Sequence, residues 1–159
     1  MRKSIFIITI VILLQSAKAA ETYDPTADAL ADIKSAIAIA KETNKHVFVK
    51  VGGDWCGWCK LYAKFTEADA EIMQVMEENY VVVLVNYSQE NKNSAAMATL
   101  GDPQRFGFPV FVIIDGNGNI LHTQDTALLE EGKGYNKQYV LRFLNVWTPG
   151  AIDPSLYQK

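Results

Sequence analysis

The sequence predicts an α/β domain, with helices and strands alternating along a chain of 159 residues. Three observations carry that prediction. Segments with apolar residues at helical spacing alternate with short β-branched runs. Both cysteines, Cys56 and Cys59, stand directly behind one of those runs, separated by two residues. Residues 20–159 suffice for one domain with its own core and are short for two. No internal repeat, low-complexity tract or long linker interrupts them.

The chain opens with Arg2 and Lys3, then a run at residues 5–14 that is apolar except for Thr9, then Gln15, Ser16 and Ala17-Lys18-Ala19. This pattern predicts a secretory signal peptide, residues 1–19, cleaved after Ala19. An uncleaved anchor is the alternative, although a bilayer takes about 20 apolar residues and this run is shorter. No cysteine lies near the cleavage site, which excludes lipid attachment there. Removing residues 1–19 takes away Arg2, Lys3 and Lys18 and no acid, so 15 basic against 18 acidic residues become 12 against 18. That balance favours neither nucleic acid nor an anionic membrane surface as a partner. Export would place the chain in an oxidising compartment, periplasmic in a Gram-negative bacterium and extracellular otherwise.

Residues 21–25 read as an extended leader, and Asp24-Pro25-Thr26 as a helix start. Over residues 27–41, Leu30, Ile33, Ile37 and Ala40 recur at helical spacing, and Asn44 and Lys45 end that helix. Residues 46–51 form a β-branched strand that stops at Gly52-Gly53. A second helix runs from Cys56 to about residue 65. Thr66 then caps a further helix, with Glu67, Asp69 and Glu71 in its first turn and Ile72, Val75 and Met76 on its apolar face. Residues 80–85 are almost wholly apolar and read as a strand buried on both faces. The polar residues 88–94 lead into a short helix at 95–100, broken by Gly101-Asp102-Pro103. Strands at 110–115 and 120–123 are joined by Gly116-Asn117-Gly118-Asn119, residues that tolerate the positive φ of a tight hairpin. Residues 128–134 read as a loop. The last helix, 136–147, carries Tyr139, Val140, Phe143, Leu144 and Trp147 on one face, and Pro149 ends it.

The chemistry centres on Trp55-Cys56-Gly57-Trp58-Cys59-Lys60. A strand running into this motif and then into a helix puts Cys56 at the helix N-terminus, where unpaired N–H groups and the positive end of the dipole favour a thiolate. Cys59 follows one turn later on the same side. That spacing lies near the Cα separation of a disulfide, so the sulfurs can open and close a bond with little backbone movement. The loop such a bond closes is too small to constrain the unfolded chain much, so stabilisation is a poor reason for the pair.

The element order, the motif behind the first core strand, Gly107-Phe108-Pro109 just before a later strand, and the final strand, hairpin, strand, helix unit together resemble the thioredoxin-like superfamily. The sequence is most similar to exported WCGWC-type members related to the soluble domains of thiol-disulfide interchange proteins. The resemblance covers nearly all of residues 20–159. It implies a thioredoxin fold: a central mixed β-sheet flanked by helices, here with an extra N-terminal helix. It also implies a protein thiol-disulfide oxidoreductase without cofactor, acting on protein thiols or disulfides and recharged by an external redox partner. Cys56 would be the nucleophile and Cys59 the resolving thiol, exchanging a Cys56–Cys59 disulfide with the partner through a mixed disulfide. Pro109 would be cis and face the dithiol, with Trp55, Trp58 and Phe108 forming an apolar rim for substrate, to which Phe106 could add. A noncatalytic binding or chaperone module with the same fold is the alternative, and the presence of both sulfurs argues against it.

One position departs from the family pattern. Thioredoxins commonly carry a buried acid six residues before the first cysteine, and here Lys50 stands there. Lys50 either lies near the sulfurs and stabilises thiolates, or reaches solvent and leaves the couple alone. Lys60 either lowers the thiol pKa or is an ordinary helix lysine. Asp54 and Glu67 are candidate substitute proton acceptors. A zinc site would need His46 and His122 to join the cysteines from separated positions, so no metal is expected. Haem attachment would need His where Lys60 stands. Gly52-Gly53-Asp54 lacks the lysine and spacing of a phosphate loop and is expected to serve the turn before the helix.

Overall fold

The computed structural model describes residues 22–158. The expected signal peptide, residues 1–19, lies outside the described residues. Among the described residues no helix is long and apolar enough to cross a membrane.

A four-stranded mixed sheet forms the centre. Its strands are β1 (His46–Gly52), β2 (Tyr80–Asn86), β3 (Val110–Ile114) and β4 (Ile120–Asp125), in the spatial order β2-β1-β3-β4. β1 runs parallel to β2 and antiparallel to β3, and β3 pairs antiparallel with β4. The sheet is flanked by helices α1 (Ala29–Thr43), α2 (Gly57–Glu67), α3 (Ala70–Asn79), α4 (Ser94–Thr99) and α5 (Lys137–Val146). The central mixed sheet and the extra N-terminal helix are as expected.

β1 is buried along its whole length, and strand alternation splits its residues between two cores. Val47, Val49 and Val51 join α1 and α4 in one cluster with Ile33, Met97 and Leu100. Phe48 joins the other, with Tyr62 of α2, Ile72 and Met76 of α3, and Phe143 and Leu144 of α5. α5 is tied back to the sheet by the Tyr80 hydroxyl, which donates to the Leu144 carbonyl at 2.5 Å.

Several sequence expectations are corrected. α1 starts two residues later than expected because Asp28, not Asp24-Pro25-Thr26, caps it by accepting from the N–H groups of Leu30 and Ala31. Asp24 instead closes a preceding turn, accepting from the Thr26 N–H and hydroxyl. The buried stripe of α1 is Ala29, Ile33, Ala36 and Ala40, while Leu30 is exposed. Thr66 is no cap: it is buried within α2, its hydroxyl donating to Tyr62 and Ala63 carbonyls, and Asp69 caps α3. β2 lies at the sheet edge, so it is not buried on both faces, and Val82 is exposed. Residues expected to be loop after β4 form a 3-10 turn, Thr126–Leu129, and a small hairpin of β5 (Glu130–Glu131) with β6 (Gly134–Tyr135). Tyr139 of α5 faces solvent, and Leu141 takes its expected place in the core. Between β3 and β4, Asp115 organises the turn by accepting from the N–H groups of Asn117 and Asn119, and only Gly118 there has positive φ.

Candidate active site

Cys56 and Cys59 are joined in a disulfide, with Cα atoms 5.3 Å apart. Their placement follows from local sequence. β1 ends at Gly52, the Cys56 N–H donates to the Gly53 carbonyl at 2.9 Å, and Cys56 becomes the N-cap of α2. Its sulfur accepts the Cys59 N–H at 3.1 Å. Cys56 therefore sits where α2 presents its positive end, and the same contact would favour a thiolate there in the reduced form. Both cysteines are buried to the same degree in the oxidised form, so exposure does not separate their roles.

Gly52 is required by close approach. A Cβ at that position would stand 2.5 Å from the Cys59 sulfur and 3.1 Å from the Tyr23 hydroxyl oxygen. The strand backbone is thus the floor on which Cys59 rests, which fulfils the expectation that these glycines serve the turn into α2. The Gly52 carbonyl accepts from the Tyr87 N–H at 2.6 Å, anchoring that floor to the loop after β2.

Above the disulfide, Trp55 is 58 % exposed yet fixed. Its indole N–H donates to the Tyr87 carbonyl at 2.8 Å, and its ring meets Phe108 edge-on at 5.4 Å. Phe108 in turn packs on Tyr87 at 4.9 Å. These three rings, with Ser88, Gln89 and Lys92, line a cleft of about 200 Å³. Pro109 follows with the expected cis peptide bond, and Gly107 before it holds φ 89°, a conformation glycine adopts without penalty. The Pro109 carbonyl is held by the Thr126 hydroxyl at 2.5 Å.

The other predicted site residues separate from this group. Trp58 is half-buried and stands edge-on to Tyr135 at 5.5 Å, on the side of the aromatic core rather than at the cleft. The Tyr135 hydroxyl donates to the Trp58 carbonyl at 3.4 Å. Burial, with the nearby Glu130 charge, pushes its pKa well above the usual tyrosine value, which keeps it a neutral donor. Phe106 is exposed beneath the Arg105 guanidinium. Lys60, at the end of the first turn of α2, is exposed. Glu67 ends α2, about 12 Å along the helix from Cys59, too far to take a proton from it directly. Asp54 is exposed and accepts the Tyr23 N–H at 3.1 Å. His46 is engaged by the Trp147 carbonyl at 2.7 Å and His122 stacks on the Trp147 ring, away from the cysteines. Among the described residues no group of three His, Cys, Asp or Glu could hold a metal ion.

Lys50 does not reach solvent: it is 1 % exposed, its ammonium 5.6 Å from the Tyr62 ring centre and 5.9 Å from that of Phe48.

A thioredoxin-like family model matches residues 28–116, more than half of the chain. The chain belongs to the thioredoxin-like family. It is 31 % identical over 81 residues to the thiol:disulfide interchange protein DsbD of Salmonella typhi, a match covering 51 % of this chain and 14 % of that protein. The chain therefore spans only about a seventh of that relative's length. Among solved structures, a disulphide isomerase from Xylella fastidiosa Temecula1 superposes with a TM-score of 0.68 at 24 % identity, over 77 % of this chain and 93 % of that one. The oxidised C-terminal domain of Neisseria meningitidis DsbD superposes with a TM-score of 0.51 at 20 % identity, over 79 % and 98 %. Both likenesses show the shared fold.

Within this thioredoxin-like protein, the site includes residues that sequence reading missed. Tyr23, Tyr87 and Thr126 come from three distant segments and converge on Gly52, Trp55 and Pro109. No local pattern marks them, because their contacts are made only once the sheet has formed.

Proposed function

We propose that this protein is a thiol-disulfide oxidoreductase that exchanges the Cys56–Cys59 disulfide or dithiol with protein partners, as a reductant or interchange protein. One observation carries the reading: the bridged pair lies at the start of α2, directly after Trp55, whose ring lines a cleft with Tyr87 and with Phe108, the residue before the cis Pro109. Such a cleft suits an extended partner segment with an apolar side chain near its disulfide.

In the reducing direction, the Cys56 thiolate attacks one sulfur of a partner disulfide. A mixed disulfide forms and the partner's other sulfur leaves as a thiolate. The Cys59 thiolate then attacks the Cys56 sulfur, closing the Cys56–Cys59 bond and releasing the second partner thiolate. Two electrons pass to the partner, and an external dithiol must restore them. Run backwards, the same steps deliver a disulfide. Cys56 is the attacking sulfur because it holds the N-cap, while Cys59 is packed down on Gly52. Trp55, Phe108 and Pro109 would contact the substrate, with Trp58 supporting α2 from the aromatic core. Export is part of this reading, supported by Arg2 and Lys3 before the apolar run at residues 5–14 and by Ala17-Lys18-Ala19.

Insulin reduction with dithiothreitol supplied as electron source tests this. Wild type should accelerate it and Cys56→Ser should not, while reduced Cys59→Ser, freed of dithiothreitol before mixing with insulin, should accumulate an adduct with insulin chains that added dithiothreitol releases. If all three proteins behave alike, the chain is a binding or chaperone module of the same fold.

A further inference from the structure

Lys50 is the only Lys, Arg, Asp or Glu that is buried among the described residues. Strand alternation puts Phe48, Lys50 and Gly52 on one face of β1, the face covered by α2. Gly52 shows where that face leads, since its missing Cβ would meet the Cys59 sulfur at 2.5 Å. Lys50 is the next residue on the same face, and its ammonium lies 5.6 Å from the ring of Tyr62, one turn beyond Cys59 on α2. The cation is thus held between strand and helix against the residue one turn after Cys59, and is shielded from water. The Tyr23 hydroxyl reaches the Gly52 side of this layer from the N-terminal segment, its oxygen 3.1 Å from the point a Gly52 Cβ would occupy and that point 2.5 Å from the Cys59 sulfur.

Building on the oxidoreductase reading, we propose that Lys50 and the Tyr23 hydroxyl set the redox poise of the couple by stabilising the Cys59 thiolate of the reduced form. In the oxidised form neither sulfur carries a charge for the ammonium to attract. Reduction by two glutathione thiols breaks the Cys56–Cys59 bond and forms one glutathione disulfide. The two protons released stay on the cysteines or, where a thiolate persists, pass to solvent. Burial alone would disfavour a thiolate at Cys59. A cation nearby in a poorly screened interior reverses that preference, and a hydroxyl donor adds to it. Stabilising the reduced form raises the reduction potential, so the couple is a stronger oxidant than its fold alone would make it. The aromatic surround contributes by holding the ammonium in place through cation–π contact.

The test is the equilibrium constant of the couple against glutathione at pH 7, followed by Trp fluorescence, in wild type, Lys50→Met and Tyr23→Phe. Lys50→Met keeps the side chain's length and removes its charge. It should shift the equilibrium at least tenfold toward the disulfide, about 30 mV in potential. Tyr23→Phe should shift it the same way by a smaller factor. A Lys50→Met protein that is folded and cycles with an unchanged constant overturns the proposal and leaves the lysine a packing residue. If Lys50→Met does not fold, Tyr23→Phe decides: a shift toward the disulfide supports the proposal, and an unchanged constant overturns it. A wild type that does not cycle removes the oxidoreductase reading itself, and this proposal with it.

Discussion

On one face of the central sheet, Val47, Val49 and Val51 meet α1 and α4 through aliphatic side chains; on the other, Phe48 and Lys50 meet α2, α3 and α5 through aromatic rings. The disulfide sits at the carboxyl end of the second face, resting on Gly52. The two faces come from alternate residues of the same strands, so they share a backbone but not a task. The aliphatic face has nothing to offer a sulfur except exclusion of water. The aromatic face holds a charge, phenolic hydroxyls and the helix that carries both cysteines. Stability should therefore respond to substitutions on either face, and the redox couple only to those on the second.

Ile33→Ala, on the aliphatic side, should have the largest effect on stability, about 2–5 kcal/mol, because it removes a fully enclosed side chain of α1. Chemical denaturation of the oxidised protein measures it. The potential of the couple should stay where it is in the folded variant. A shifted potential would break the division between the faces.

How much of this was legible in the sequence depends on how local the cause is. β1, the strand-to-helix turn and Cys56 at its N-cap could be read directly, because a β-branched run, two glycines and the motif are contiguous. The start of α1 was misplaced because Asp24 and Asp28 both suit a cap, and its core stripe was misread because Ala29 and Ala36 belong to it and alanine fits a buried or an exposed position equally well. β2 has the composition of a central strand, and only the pairing order reveals it as an edge. The fate of Lys50 could not be decided, since a lysine among apolar residues can snorkel or be enclosed, and here the rings that meet its ammonium include Tyr62 of α2, which only the folded chain brings to β1. Tyr23 and Tyr87 left no signal, their contacts being made across long stretches of chain.

Gly52→Ala acts on the oxidised form of the couple rather than on the reduced one. The added Cβ would overlap the Cys59 sulfur, and such overpacking costs about 1–3 kcal/mol. The disulfide pins that sulfur, whereas a free Cys59 side chain can rotate away. The cost should fall mainly on the oxidised form and raise the potential, by about 30 mV for each 1.4 kcal/mol. That sign is opposite to the one expected for Lys50→Met, and the same glutathione titration reads it.

The smallest effect belongs to Lys137 of α5, which grips Asp69 at 2.8 Å and Glu71 at 2.9 Å at the start of α3. The pair joins two helices of the aromatic face from the solvent side. Its hydrogen bond from Lys137 holds the Asp69 carboxyl below the usual carboxylate value. A carboxylate depressed in the folded state contributes stability above its unfolded pKa and loses it as pH falls through the folded one. Lys137→Met should lower the melting temperature slightly at neutral pH, and the gap to wild type should close as pH falls below about 4. The potential should not move, since the pair is exposed and remote from the sulfurs.

The most direct test of the account is the redox titration of wild type itself with glutathione, followed through the fluorescence of Trp55 and Trp58, which flank Cys56. Wild type should show a single reversible two-electron transition, lost in Cys56→Ser, with a potential above the thioredoxin value of about −270 mV because of the buried Lys50. A protein whose disulfide does not open and re-form under these conditions would contradict it.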